Sequence, residues 1–110
     1  MLISSDVWVA ALIRRAEIAG AFATVVRKGD ARAGAVLVKS LDRRSGAARL
    51  YAEAIRAEGD RIWMQPLHGA SEVDLDAYVE RAVRIDPDLW VVEVEDADAS
   101  RFLTEPVEKP

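Results

Sequence analysis

Between Phe22 and Leu67 four runs of strand-forming residues follow one another with only turn-length breaks, and a chain built that way must organise its other elements around a sheet. The first run, Phe22 to Lys28, is β-branched in its middle and leads into a loop holding Gly29, Asp30 and Gly34; the second, Ala35 to Leu41, is almost wholly apolar. Asp42 to Gly46 makes the next break. Ala48 to Ile55 then alternates, with Leu50, Ala52 and Ala54 opposite Arg49, Tyr51 and Glu53, as expected of a strand with one wet face. Arg56 to Asp60 turns the chain into Arg61 to Gln65, which Pro66 stops because it cannot donate to a ladder. Short successive connections predict neighbouring antiparallel strands in a meander.

The flanks supply helices and a fifth strand. Ser4, Ser5 and Asp6 are N-cap residues, and Val9, Leu12, Ile13, Ala16 and Ala19 recur at helical spacing up to Gly20, predicting a helix over 6–19. The opening Val7-Trp8-Val9 suits a strand equally well, so residues 7–12 are open to both readings. Ser71 with Asp74 forms a capping-box start, after which Leu75, Tyr78, Val79, Ala82 and Val83 line one side of a helix to Ile85. Its Glu72, Asp74 and Asp76 fall at the start and its Arg81 and Arg84 at the end, charges that helix electrostatics explains without a catalytic role. Pro87 ends it, and Leu89 to Glu95 alternates as a fifth strand, with Glu93 and Glu95 placed to pair with Lys39 or Arg49 across a ladder. Residues 96–103 suggest a short helical turn, and 104–110 a frayed tail. The expected fold is α+β: a two-layer, single domain over residues 1–110, with a mostly antiparallel sheet of about five strands and two helices on one face.

Composition narrows the function classes. The chain has 110 residues, enough for one core, and no cysteine, which removes disulfides, thiolate metal sites and cysteine nucleophiles together. No apolar run reaches the ~18 residues of a membrane span and the start lacks a signal peptide's basic region, so the expectation is a cytoplasmic protein with no membrane contact. The net charge of −4 hides an asymmetry: residues 1–65 carry 11 Lys/Arg against 7 Asp/Glu, and residues 66–110 carry 4 against 12. The simplest use of that layout is mutual neutralisation within the fold; the alternative is a basic surface for an anionic ligand or an acidic partner.

No catalytic, metal or cofactor motif is present. The glycines around Asp30 lack the spacing of a phosphate loop and precede a strand instead of a helix, and His68 is the one histidine, too few for a paired metal site. His68 could act as a base only beside a carboxylate such as Asp30 or Asp86. Tyr51 and Trp63 could share a face with Lys39 and Arg49 as a stacking platform for single strands, but the acidic balance argues against nucleic acid. What remains is an anion site formed by Arg14, Arg15 and Arg27, with Asp30 orienting a guanidinium and Asp86 as general base. Adjacent residues on a helix diverge, so at most one of Arg14 and Arg15 joins Arg27.

Three stretches, Trp8 to Arg15, Arg27 to Lys39 and Asp86 to Asp96, resemble a family of small bacterial proteins known only as a domain of unknown function. The resemblance spans nearly the whole chain. It implies a free-standing single-domain bacterial protein and brings no activity, cofactor or catalytic residue with it. The reading that follows is a non-enzymatic interaction module, with homodimerisation its most accessible form; the alternative is a protein or enzyme that binds a small phosphate or carboxylate. Whether it is an enzyme stays open at this level.

Overall fold

The protein is described here over residues 3–109 by a computed structural model. Helix α1 spans Ser5–Ile18, so residues 7–12 are helical despite their strand propensity. The stripe of Trp8, Val9, Leu12 and Ala16 is buried as one face, and tertiary packing overrides local preference. The helix ends in a Schellman arrangement: Gly20, at φ 85°, donates to Glu17 O and Ala21 donates to Ala16 O. Strands β1 (Phe22–Arg27), β2 (Val36–Leu41), β3 (Ala48–Ile55) and β4 (Arg61–Met64) follow, then α2 (Glu72–Ile85) and β5 (Trp90–Glu95), and a 3-10 turn at Ala99–Phe102. Helix α2 opens with the expected capping box between Ser71 and Asp74.

The five strands form one open sheet in the order β1-β5-β2-β3-β4. Three of its four pairings are antiparallel, and β2 with β5 is parallel. The fold is therefore α+β with a mostly antiparallel five-stranded sheet, but β1 and β2 are not the hairpin that a meander requires. The physical reason is burial. Every residue of β2 is buried, and β5 is nearly so, which demands strands on both sides of each; β1, mostly exposed, is fit only for an edge. The loop between β1 and β2 is long enough to step over β5, and the parallel pairing is closed by a crossover that includes α2.

The helices also take opposite faces instead of sharing one. Alternate residues of the central strands are apolar on both sides: Val36, Val38, Val92 and Val94 face α1 with Tyr51 and Trp63, whereas Leu37, Leu50 and Val91 face α2 through Leu75. A sheet whose two faces are both apolar needs a cover on each, and one helix serves each side.

The tail lies against β4. Trp63 N donates to Pro106 O and Glu108 N donates to Trp63 O, so residues 106–108 run parallel to β4 and cover its outer edge; Pro110 lies outside the described residues. Among the described residues no helix is long and apolar enough to cross a membrane.

Candidate functional site

The expected anion site is dispersed. Arg15 donates from Nε and Nη2 to Phe102 O at 3.1 and 2.9 Å and lies over the Trp8 ring, which ties it to the α1 side of the sheet; Arg14 is exposed. Arg27 instead reaches the turn before β5, where Nη2 donates to Pro87 O at 3.1 Å. Asp30 binds its own loop, accepting from the amides of Arg32 and Ala33, and Asp86 accepts from Asp88 N. Arg27, Asp30 and Asp86 thus belong to one junction, between the 29–34 loop and the 86–88 turn, that does not include the helix arginines. That junction is close enough to explain its glycines. A Cβ on Gly29 or Gly34 would overlap the Asp88 carbonyl oxygen, so these glycines serve a backbone contact.

Tyr51 and Trp63 are buried on the α1 face, opposite Lys39, and so form no stacking platform. Trp8 and Trp63 meet ring to ring, and both indoles donate to one carboxylate: Trp8 Nε1 to Glu105 Oε2 at 3.1 Å and Trp63 Nε1 to Glu105 Oε1 at 2.9 Å. Burial alone would raise Glu105, but the hydrogen bonds from Trp63, Thr104 and Trp8 outweigh it and hold the carboxyl below its usual range. His68 lies with Arg49, Gln65 and Leu67 beside a shallow cavity, away from the Asp30 and Asp86 junction.

Part of the charge asymmetry is neutralised within the fold. Lys39, on β2, is buried beneath α2 and gives its ammonium to Glu72 at 2.7 Å, Asp76 at 2.8 Å and Glu93 at 3.3 Å. Desolvation works against this charge, yet the carboxylates of Asp76, Glu72 and Glu93 prevail and keep the lysine well above its ordinary range. Arg43 pairs with Glu95, Arg49 with Asp98 and Arg56 with Glu108, so with Lys39 four of the eleven cations of the first part are bonded to carboxylates of the second. Among the described residues no group of three or more His, Asp or Glu side chains is placed to hold a metal ion.

A second buried pair lies on the α1 face of the β3–β4 hairpin. Arg61 Nε is 2.9 Å from Glu53 Oε2, with both side chains mostly enclosed. The N–H is not aimed at the oxygen, and neither atom makes a hydrogen bond. Desolvation raises the Glu53 carboxyl above its usual range, against the pull of Arg61. The pairing was legible in principle: the turn at 56–60 puts Glu53 and Arg61 on one face as diagonal neighbours. Nothing in the local pattern marks Glu105.

The two sheet edges differ. The outer edge of β4 is covered by residues 106–108, whereas β1 pairs only with β5 and leaves Phe22 65% and Val26 59% exposed. A family model described as a protein of unknown function, DUF1491, matches residues 3–104. The chain belongs to the DUF1491 family. Its fold is shared by a DUF1491 family protein from Caulobacter crescentus, 71% identical: the crystal structure aligns over 97% of this chain and 100% of that one with a TM-score of 0.91, and the NMR structure over 99% of each with 0.90. The solution structure of protein Atu0922 from A. tumefaciens, 36% identical, aligns over 100% of this chain and 98% of that one with a TM-score of 0.85. None of the curated proteins matches this chain.

Proposed function

We propose that this DUF1491 protein is an interaction module that pairs with a second copy of itself along the outer edge of β1. The observation that carries this reading is the contrast between the edges. One is closed by the chain's own tail; the other is an open row of backbone donors and acceptors flanked by apolar side chains. Proteins usually blunt such an edge with proline, lysine or an early bulge. Here the first charged residue is Arg27, and the irregularity lies between Val25 and Arg27, at the strand's far end.

The strand is also complementary to itself. Two copies related by a two-fold axis through Thr24 set Phe22 against Val26 and Ala23 against Val25, twice each, with no like charges opposed. The product is a continuous ten-stranded sheet.

Sedimentation across micromolar to submillimolar concentration tests it. The expected result is a concentration-dependent dimer that the double variant Phe22→Lys, Val26→Lys abolishes with little change in melting temperature, since both side chains are exposed. Mixing a Phe22→Lys chain with a Val26→Glu chain should restore pairing through opposite charges. A protein that stays monomeric, or a dimer indifferent to the double variant, would overturn the proposal.

A further inference from the structure

A cleft of about 530 Å³ lies where the start of α1 and the 29–34 loop meet the adjoining ends of β3 and β4. Its volume falls within the range of small-molecule sites. Two arginines line it, Arg32 from the loop and Arg61 from β4, together with Glu53, Ser4, Ile3 and Ile55.

Neither guanidinium makes a hydrogen bond among the described residues, although Arg61 is in ion-pair contact with Glu53 at 2.9 Å. A guanidinium has five N–H donors, and among the described residues those of Arg61 find no acceptor in hydrogen-bonding geometry, although its side chain is only 14% exposed. Among the described residues its one ion-pair partner is Glu53, touching at Nε, which leaves the terminal nitrogens for whatever fills the cleft. Arg32 makes no side-chain hydrogen bond or ion pair among the described residues. Of these two groups only Nε of Arg61 is fully enclosed without a hydrogen bond, an arrangement native proteins seldom keep, while its terminal nitrogens and the exposed Arg32 stay accessible.

The cleft is held in shape before anything enters it. Ser5 N donates to Arg32 O at 3.1 Å, Asp6 N to Ala31 O at 2.9 Å, and the buried Ser5 hydroxyl to Gly34 O at 2.6 Å. These bonds fix the loop carrying Arg32 to the helix. They also occupy the first amides of α1, so the arginines, not the helix terminus, are the available cationic groups. Beside them Ile3 and Ile55 are both exposed, and they offer an apolar wall next to the charge.

We infer that this cleft binds a small organic anion, its carboxylate or phosphate held between Arg32 and Arg61 and its apolar body laid against Ile3 and Ile55. The planar fork of arginine matches either head group. The inference is independent of the proposed self-association, because β3 and β4 are the strands farthest from β1 in the sheet order.

Two probes with the same body and different heads, isocaproate and isobutyl phosphate, should be titrated by NMR, with inorganic phosphate as the bodyless control. The expected result is saturable shifts of the Arg32 and Arg61 side-chain N–H signals with one organic probe below about 10 mM, and the probe that binds identifies the head group. Arg32→Ala, at an exposed position, should weaken binding by about tenfold or more. Glu53→Gln, which removes the carboxylate that repels an anion, should tighten it at neutral pH, a change that merely structural disruption would not produce. No saturable shift with either organic probe would overturn the inference. So would inorganic phosphate binding as well as the organic probes, or affinity unchanged in Arg32→Ala.

Discussion

Trp8 and Trp63, from α1 and β4, lie with ring centroids 5.1 Å apart and planes tilted by 37°, and their N–H groups converge on the carboxylate of Glu105. One tail residue thereby satisfies two indoles at the centre of the larger core. Glu105→Ala would leave both donors without their acceptor, and a loss of about 1–3 kcal/mol per unsatisfied buried group is the appropriate scale. Chemical denaturation followed by tryptophan emission measures it. Faster hydrogen exchange at the Glu108 amide, which donates to Trp63 O, should accompany the loss.

The same carboxylate makes a pH prediction. Its pKa is lower folded than unfolded, so its stabilisation is present above the ordinary glutamate value of 4.5 and disappears as pH falls through the lower folded value. Glu105→Gln should therefore show a shallower acid limb than the native chain in melting temperature against pH.

Glu53 has the opposite sign. Its carboxyl is raised in the folded protein, so the ionised form weakens the fold at neutral pH, and stability recovers as pH falls from the raised value towards 4.5. The melting temperature of Glu53→Gln minus that of the native chain should be more positive at pH 7 than near pH 4. An unchanged difference would mean that Glu53 titrates as it does unfolded.

Replacing Lys39 removes the cation that three carboxylates share beneath α2. Lys39→Met should destabilise by about 3–5 kcal/mol, the usual effect of deleting one partner of a buried ionic group. Adding Glu93→Gln, which takes away the least exposed of the three carboxylates, should return part of that loss in urea denaturation.

Gly34→Ala places a Cβ against the Asp88 carbonyl oxygen, which belongs to the backbone and cannot turn aside. A loss of about 1–3 kcal/mol is expected from overpacking. Amide exchange should quicken at Asp30, whose N–H donates to that same carbonyl.

The sequence made the elements legible but not their order. Capping at Ser71 and the apolar stripe of α2 are local and survive in the fold, whereas the alternation of β3 marks no wet face, because Leu50 and Tyr51 are both buried. Strand order depends on which strands can tolerate two neighbours, a property of total burial that shows only when β2 and β5 are compared with β1. The helix faces failed for a related reason: Leu50, Ala52 and Ala54 against Arg49, Tyr51 and Glu53 suggest a one-sided sheet, although Leu50 and Tyr51 each belong to a core on their own side. The arginines expected to share an anion site, Arg14, Arg15 and Arg27, are drawn to separate backbone carbonyls or to solvent, while Arg32 and Arg61 line one cleft through loop and hairpin geometry. Long-range closure of this kind leaves little trace in local spacing.

In the proposed β1-edge dimer, pairing of the tail with β4 sets the assembly valence. On that proposal, with residues 106–108 set against β4, each chain offers β1 alone as an adhesive strand, and strand-to-strand association stops at two copies. Removing residues 106–110, which keeps Glu105 beneath the two indoles, would on the same proposal make the chain bifunctional. Its β1 edge and its uncovered β4 edge are different surfaces, so contacts between them do not close on a two-fold axis and propagate instead as an open filament. The last few residues of this chain are, on that account, a polymerisation stop.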